Sequence, residues 1–172
     1  RYQCQLPGFV DGPSRIEESV WDHPFQWGSK RTGPDLARIG AKGVNESWHW
    51  QHMMAPRSMV PESNMPNFPW LYERTADAAI AADKMRVLKK VGVPYSDAEI
   101  AGAAASYQKQ VQEIVQRLAT QGVELRRNST QPIDEAKAEV AQREIVAMIA
   151  YLMRLGRNLE PASTKVADAG GK

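Results

Sequence analysis

The segment Val60-Pro61-Glu62-Ser63-Asn64-Met65-Pro66-Asn67-Phe68-Pro69-Trp70 holds the side chain best placed for chemistry. Three prolines within nine residues forbid a helix or a central strand there, because proline lacks the amide donor and fixes φ. The segment is a stiff extended loop that keeps Met65 in one place. A thioether is a soft, weak ligand and binds a metal only when it is pre-positioned. A methionine also plugs gaps in cores, and the loop permits either use. His49 and His52 stand i, i+3 and can share a metal, with His23 as a candidate third ligand, or they are ordinary core and surface histidines. No nucleophile elbow and no glycine-rich phosphate loop accompanies them. Cys4 is the single cysteine, which excludes an internal disulfide framework and a thiolate zinc cluster.

Two kinds of element must position these residues. Residues 1–75 carry all five tryptophans, all three histidines and eight of the eleven prolines, so this part is loop-rich and aromatic. The spacing predicts one short helix in it over 45–54, capped by Asn45 or Ser47, with Pro56 beyond its end. The run from Trp21 to Leu36 mixes large aromatics, turn residues and charges. Aromatics held in a loop pack on something, which is this domain's core, a flat cofactor or another protein.

Residues 76–172 hold 19 of the 22 alanines and read as helical. A helix over 77–91 has Ile80, Met85 and Leu88 near one face and closes at Gly92. Ser96 and Glu99 have capping-box spacing and open a helix that runs to about Gln121, with Tyr107, Val111, Ile114, Val115 and Leu118 as its stripe. A last helix starts at Pro132 and ends near Leu155, with Ile145, Met148, Ile149, Leu152 and Leu155 aligned. The two predict an antiparallel hairpin over 96–155 with arms of up to about 35 Å. The charges over 112–127 and 134–143 mark solvated faces. The tail over 159–172 is small, polar and predicted disordered.

The chain of 172 residues is long enough to bury a core without disulfides. Its net charge of +2 and the lack of a basic stripe argue against nucleic acid. The apolar run from Ile145 to Met153 is far shorter than the roughly 20 residues of a membrane span.

Several of these stretches resemble a known family. Thr32-Gly33-Pro34-Asp35-Leu36, then Trp48, His52, Pro56-Arg57 and Val60 to Pro66, resemble the distal half of a class I cytochrome c. More narrowly, the run Asp22 to Arg38, Pro61 to Leu71, Gly92-Val93-Pro94-Tyr95 and Ile149-Ala150-Tyr151-Leu152 with Leu155-Gly156 are similar to the mono-haem subunit of cbb(3)-type cytochrome c oxidases. The resemblance implies a mainly α fold, a class I cytochrome c-like domain incomplete at its N-terminus. Residues 1–75 would form its distal half, and the helical part 76–158 would add the hairpin, whose last helix completes the cytochrome-like core.

The resemblance also implies a haem c cofactor, with Met65 as axial ligand to the iron. Pro34 would offer its carbonyl to the proximal histidine's other ring nitrogen. Leu36, Trp48 and Phe68 would line the haem crevice, and Lys42 or Arg57 would meet a propionate. His23 and residues 25–31 would contact the catalytic subunit. The implied partners are the haem–copper catalytic subunit and a di-haem cytochrome c subunit. The implied place is the periplasmic face of the bacterial inner membrane.

The sequence departs from that pattern in one respect: no Cys-x-x-Cys-His run is present. Three readings follow. In the first, an electron-transfer subunit has its attachment motif and membrane anchor upstream of Arg1. In the second, a haemless structural or assembly domain docks on oxidase subunits through its aromatic loop. In the third, His49 and His52 form a small metal module.

Overall fold

Apolar residues spaced by three and four along two helices dictate the core. The computed structural model describes residues 38–156 together with Trp21, Gly33 and Leu36. A 3₁₀ turn, Ile39–Lys42, precedes eight helices in this part. They are α1 (Glu46–Met54), α2 (Pro56–Met59), α3 (Trp70–Glu73), α4 (Ile80–Lys90), α5 (Asp97–Ala101), α6 (Ala103–Thr120), α7 (Ile133–Val140) and α8 (Glu144–Arg154). The protein is mainly α, and extended pairing among the described residues amounts to one isolated bridge between Thr75 and Arg143.

Helix α6 presents Val111, Ile114, Val115 and Leu118 to Ile145, Val146, Ile149 and Met153 of α8. Leu118, Ile145, Val146 and Ile149 are 0% exposed, so each contributes about 1.5–3 kcal/mol through burial. Leu71 belongs to the same cluster, and Trp50, Met53, Met54, Phe68 and Tyr72 pack against it. The aromatic part and the helical part therefore share one core.

The chain ends of this core meet backbone to backbone. The Gly40 amide donates to the Leu155 carbonyl at 3.0 Å, and the 3₁₀ turn lies on α8. A Cβ on Gly40 would stand 2.3 Å from the Met153 carbonyl oxygen. Gly156 takes φ +81°, and a Cβ there would stand 2.7 Å from Arg38 Cα. Glycine at both positions is what lets the two segments approach.

The caps follow the sequence closely. Asn45 caps α1, its side chain accepting from the Trp48 amide at 2.9 Å. Ser96 and Glu99 form the reciprocal capping box at the start of α5.

Three expectations require correction. The first hairpin arm is interrupted at Gly102, which separates α5 from α6, because glycine is a poor helix former. The second arm is two helices rather than one. Its break at residues 141–143 comes from residues 73–76, which supply competing hydrogen bonds. The Ala76 amide donates to Gln142 O at 2.8 Å, and the Glu144 amide donates to Arg74 O at 3.0 Å. Arg143 also donates from Nη1 to Glu73 O at 2.7 Å. The longest arm, α6 with 18 residues, is about 27 Å rather than 35 Å. On α4, Met85 and Leu88 are half-buried and Ile80 is exposed. Glu160 to Lys172 lie outside the described residues.

Candidate functional site

The site is built from the end of α1 onward. Pro56 opens α2 at its first turn, where a missing amide costs nothing, and is itself buried. The chain leaves this short helix into the proline-rich loop, and a relay of hydrogen bonds ties that loop down. The Val60 amide donates to Pro56 O at 3.0 Å and the Ser63 amide to Val60 O at 2.9 Å. The Met65 amide donates to Ser63 Oγ at 3.2 Å. Arg57 Nε donates to Ser63 O at 3.2 Å. The Phe68 amide then reaches back to Met53 O at 2.9 Å, closing the loop on the last turn of α1.

Met65 is half-buried and stands apart from the core cluster, in contrast to Met53, Met54 and Met153. It lines a cavity of about 440 Å³ with Ala55, Arg57, Ser58, Asn64, Pro66 and Asn67. The cavity is open at the surface, for Arg57, Ser58, Asn64, Pro66 and Asn67 are all exposed. Of the two uses open to this methionine, the core plug is the one this placement does not support.

The other residues expected at the site are distributed as follows. Arg57 shares the cavity with Met65. Phe68 packs against the core and meets Trp70 edge-on at 5.2 Å. Trp48, half-buried on α1, stacks on His52 with ring centroids 4.4 Å apart and meets His49 edge-on at 5.3 Å. Neither Trp48 nor Phe68 lines the Met65 cavity. Lys42 is exposed at the end of the 3₁₀ turn, and Leu36 is exposed as well. Pro34, His23 and Cys4 lie outside the described residues.

His49 is buried and its Nε2 has no hydrogen-bond partner; the buried Nδ1 of His52 has none either. Burial holds both imidazoles below the usual histidine range, and the nearby His52 lowers His49 further, against a smaller upward pull from Glu46. Such groups fold neutral, and the unfolded chain binds protons first as the pH falls. Stability is therefore fully present above about pH 6.5 and is lost as the pH drops from there toward the depressed folded values. Urea midpoints measured between pH 7.5 and 5.5 should fall for the native chain and fall less for His49→Phe. Equal slopes would show that His49 does not govern the acid loss. No group of three potential ligands is placed to hold a metal among the described residues, so the two histidines stand there without a third.

The sequence reading missed four contributors. Glu46 is 3% exposed and accepts from Arg117 Nη1 at 2.8 Å and from Gln121 Nε2 at 2.7 Å. Burial pushes its carboxyl up, but the bonds from Gln121, its own backbone amide and Arg117 together hold it below the ordinary carboxylate range. Ser63 is the fourth, and its two-residue spacing from Met65 was a legible Ser-turn signal. No local signal links Glu46 to Gln121, which are 75 positions apart.

The family model described as cytochrome C oxidase, mono-heme subunit/FixO, matches residues 12–159, a span that includes every element described above. The chain belongs to the FixO family. This FixO protein is thus a cytochrome c oxidase subunit concerned with electron transfer, from a family whose members carry one haem and associate with other oxidase subunits. A comparison with curated proteins finds no match. No helix among the described residues is long and apolar enough to cross a membrane.

By their chemistry two residues of the cavity lining, Met65 and Arg57, would fit a haem, whereas Leu36, Lys42, Trp48 and Phe68 do not line the cavity. A thioether outside the core lines an open cavity, and beside it stands Arg57, which has no carboxylate partner among the described residues. The thioether would offer a soft donor to an iron and the guanidinium a cation to the macrocycle's carboxylates.

Proposed function

We propose that this FixO chain relays electrons through a His/Met-ligated haem c to the haem–copper catalytic subunit of a cbb(3)-type oxidase, where oxygen is reduced. The observation that carries this reading is the position of Met65, half-buried on a tethered loop, outside the core and facing a cavity. In this reading Met65 would hold the iron, and Arg57 or Lys42 would meet a carboxylate; of the two, Arg57 shares the cavity with Met65. The resemblance would have Leu36, Trp48 and Phe68 line the ring's crevice, although none of the three lines the Met65 cavity, and would have the Pro34 carbonyl orient the proximal histidine. The haem, when bound, supplies a one-electron couple.

The chain's own task is to keep its methionine still. A ligand that does not move between oxidation states keeps reorganisation small, and a methionine raises the potential relative to a second histidine by favouring ferrous iron. No Cys-x-x-Cys-His run occurs in the 172 residues, so the residues assigned here belong to the methionine side. A di-haem cytochrome c subunit is the further partner in this reading, and the periplasmic face of the inner membrane is its place.

Intact mass and a reduced-minus-oxidised spectrum, taken on protein purified from its own membranes, test the proposal. A mass that includes one haem and exceeds what the 172 residues allow, with a sharp c-type band, is the expected result. A bare polypeptide mass without that band would return the chain to a haemless docking domain.

A further inference from the structure

The hairpin's contact with α1 is a second, separate feature of this fold. Gln121, at the C-terminal end of α6, uses both ends of its amide on the first turn of α1. Its Nε2 donates to Glu46 Oε2 at 2.7 Å, and its Oε1 accepts from the Ser47 amide at 2.8 Å. The next residue is Gly122 at φ +80°, which turns the chain immediately past this contact. Arg117, one turn earlier on α6, completes the grip through Nη1 to Glu46 Oε1 at 2.8 Å. The first four amides of a helix lack internal partners, so a side chain that takes one of them holds the helix by its end.

The other end of α1 holds the Met65 loop. Met53 O accepts from the Phe68 amide, and buried Pro56 leads directly into Arg57, whose Nε bonds Ser63 O beside Met65. Helix α1 is thus a short strut of nine residues, gripped by α6 at its start and bearing the methionine loop at its end. Being short, it has little stability of its own and depends on such contacts for its place.

We infer that Gln121 and Arg117, both on the α6 side of the hairpin, are positioning residues for Met65. This gives the hairpin a role: it fixes the start of α1 and through it the placement of the ligand loop. The part that concerns iron rests on the function proposed above, whereas the mechanical link does not.

Native-state hydrogen exchange on the 172-residue chain tests the link, read at the α1 amides and at the Phe68 amide. Gln121→Met removes both amide bonds at nearly constant volume, and Arg117→Met removes the guanidinium. Losing a bond of this class corresponds to about fivefold faster exchange at α1 and Phe68 in each variant. Val140→Ala, a core substitution on α7 that touches none of these bonds, controls for general loosening. Unchanged exchange at Phe68 in both Gln121→Met and Arg117→Met overturns the inference. So does an equal rise at Phe68 in Val140→Ala at matched loss of stability.

The haem-loaded protein provides the second readout, the charge-transfer band of methionine bound to ferric iron. Its weakening in Gln121→Met, with haem still attached, is the expected result. A full band in that variant, alongside unchanged exchange, overturns the positioning role. Faster exchange at Phe68 in a protein whose unmutated form shows no such band supports the clamp and instead defeats the iron assignment of Met65.

Discussion

Replacing Met65 with histidine lowers the reduction potential of the haem-loaded protein by on the order of 100 mV or more, within the roughly 0.8 V over which axial ligands act. The direction follows from ligand chemistry. A thioether is a weak σ donor that favours ferrous iron, whereas an imidazole nitrogen stabilises the ferric state. Covalent attachment should survive, because a c-type haem is held by cysteine thioethers and not by its distal ligand. The loop itself should survive as well. Its ties run through the Met65 backbone amide, Ser63 and Arg57 rather than through the thioether. A spectroelectrochemical titration reads the result directly. An unchanged potential would remove Met65 from the iron and leave the cavity beside Arg57 without its proposed occupant.

Gly40→Ala is expected to destabilise the chain by about 2–3 kcal/mol, at the upper end of overpacking costs. The added methyl would lie 2.3 Å from Met153 O, 2.6 Å from Met153 C and 2.8 Å from Leu152 O. All three are backbone atoms of α8, so no side chain can swing away to relieve the clash. Either the 3₁₀ turn lifts from α8, breaking the Gly40-to-Leu155 hydrogen bond, or α8 shifts within its core. The first outcome also frees the segment that carries Lys42. Urea unfolding of the variant checks the magnitude. A midpoint equal to that of the native chain would mean that the turn does not sit against α8.

The acid loss expected from His49 and the clamp expected from Gln121 share a cause. Both concern α1, a helix of nine residues with weak amphipathic character whose place is set by buried polar contacts as much as by apolar ones. The sequence shows its cap, Asn45, and its length, because a cap and a following proline are signals within a few positions. It does not show that Glu46 is buried. A glutamate in the first turn of a helix ordinarily faces water and complements the helix dipole. Here Arg117 and Gln121 reach it from more than seventy positions away and make burial tolerable.

The break at residues 141–143 has the same origin. The apolar positions step by four from Ala136 to Val140 and from Ile145 to Ile149 but by five between Val140 and Ile145, so the pattern slips at the break. The hydrogen bonds that end the helix there come from residues 73–76, which the local pattern does not name.

Neighbouring residues therefore set only the short-range features. The apolar stripes of α6 and α8, the Ser96–Glu99 capping box, the stiff loop around Met65 and the runs that resemble the mono-haem oxidase subunit are all written in neighbouring residues. Tertiary structure alone decided that Met65 stands outside the core, that Gly40 must lack a side chain, and that the hairpin grips α1. Each of these depends on two segments distant in the chain meeting at hydrogen-bond or van der Waals range. Such encounters are selected by packing over the whole core, and no period of two or 3.6 residues encodes them.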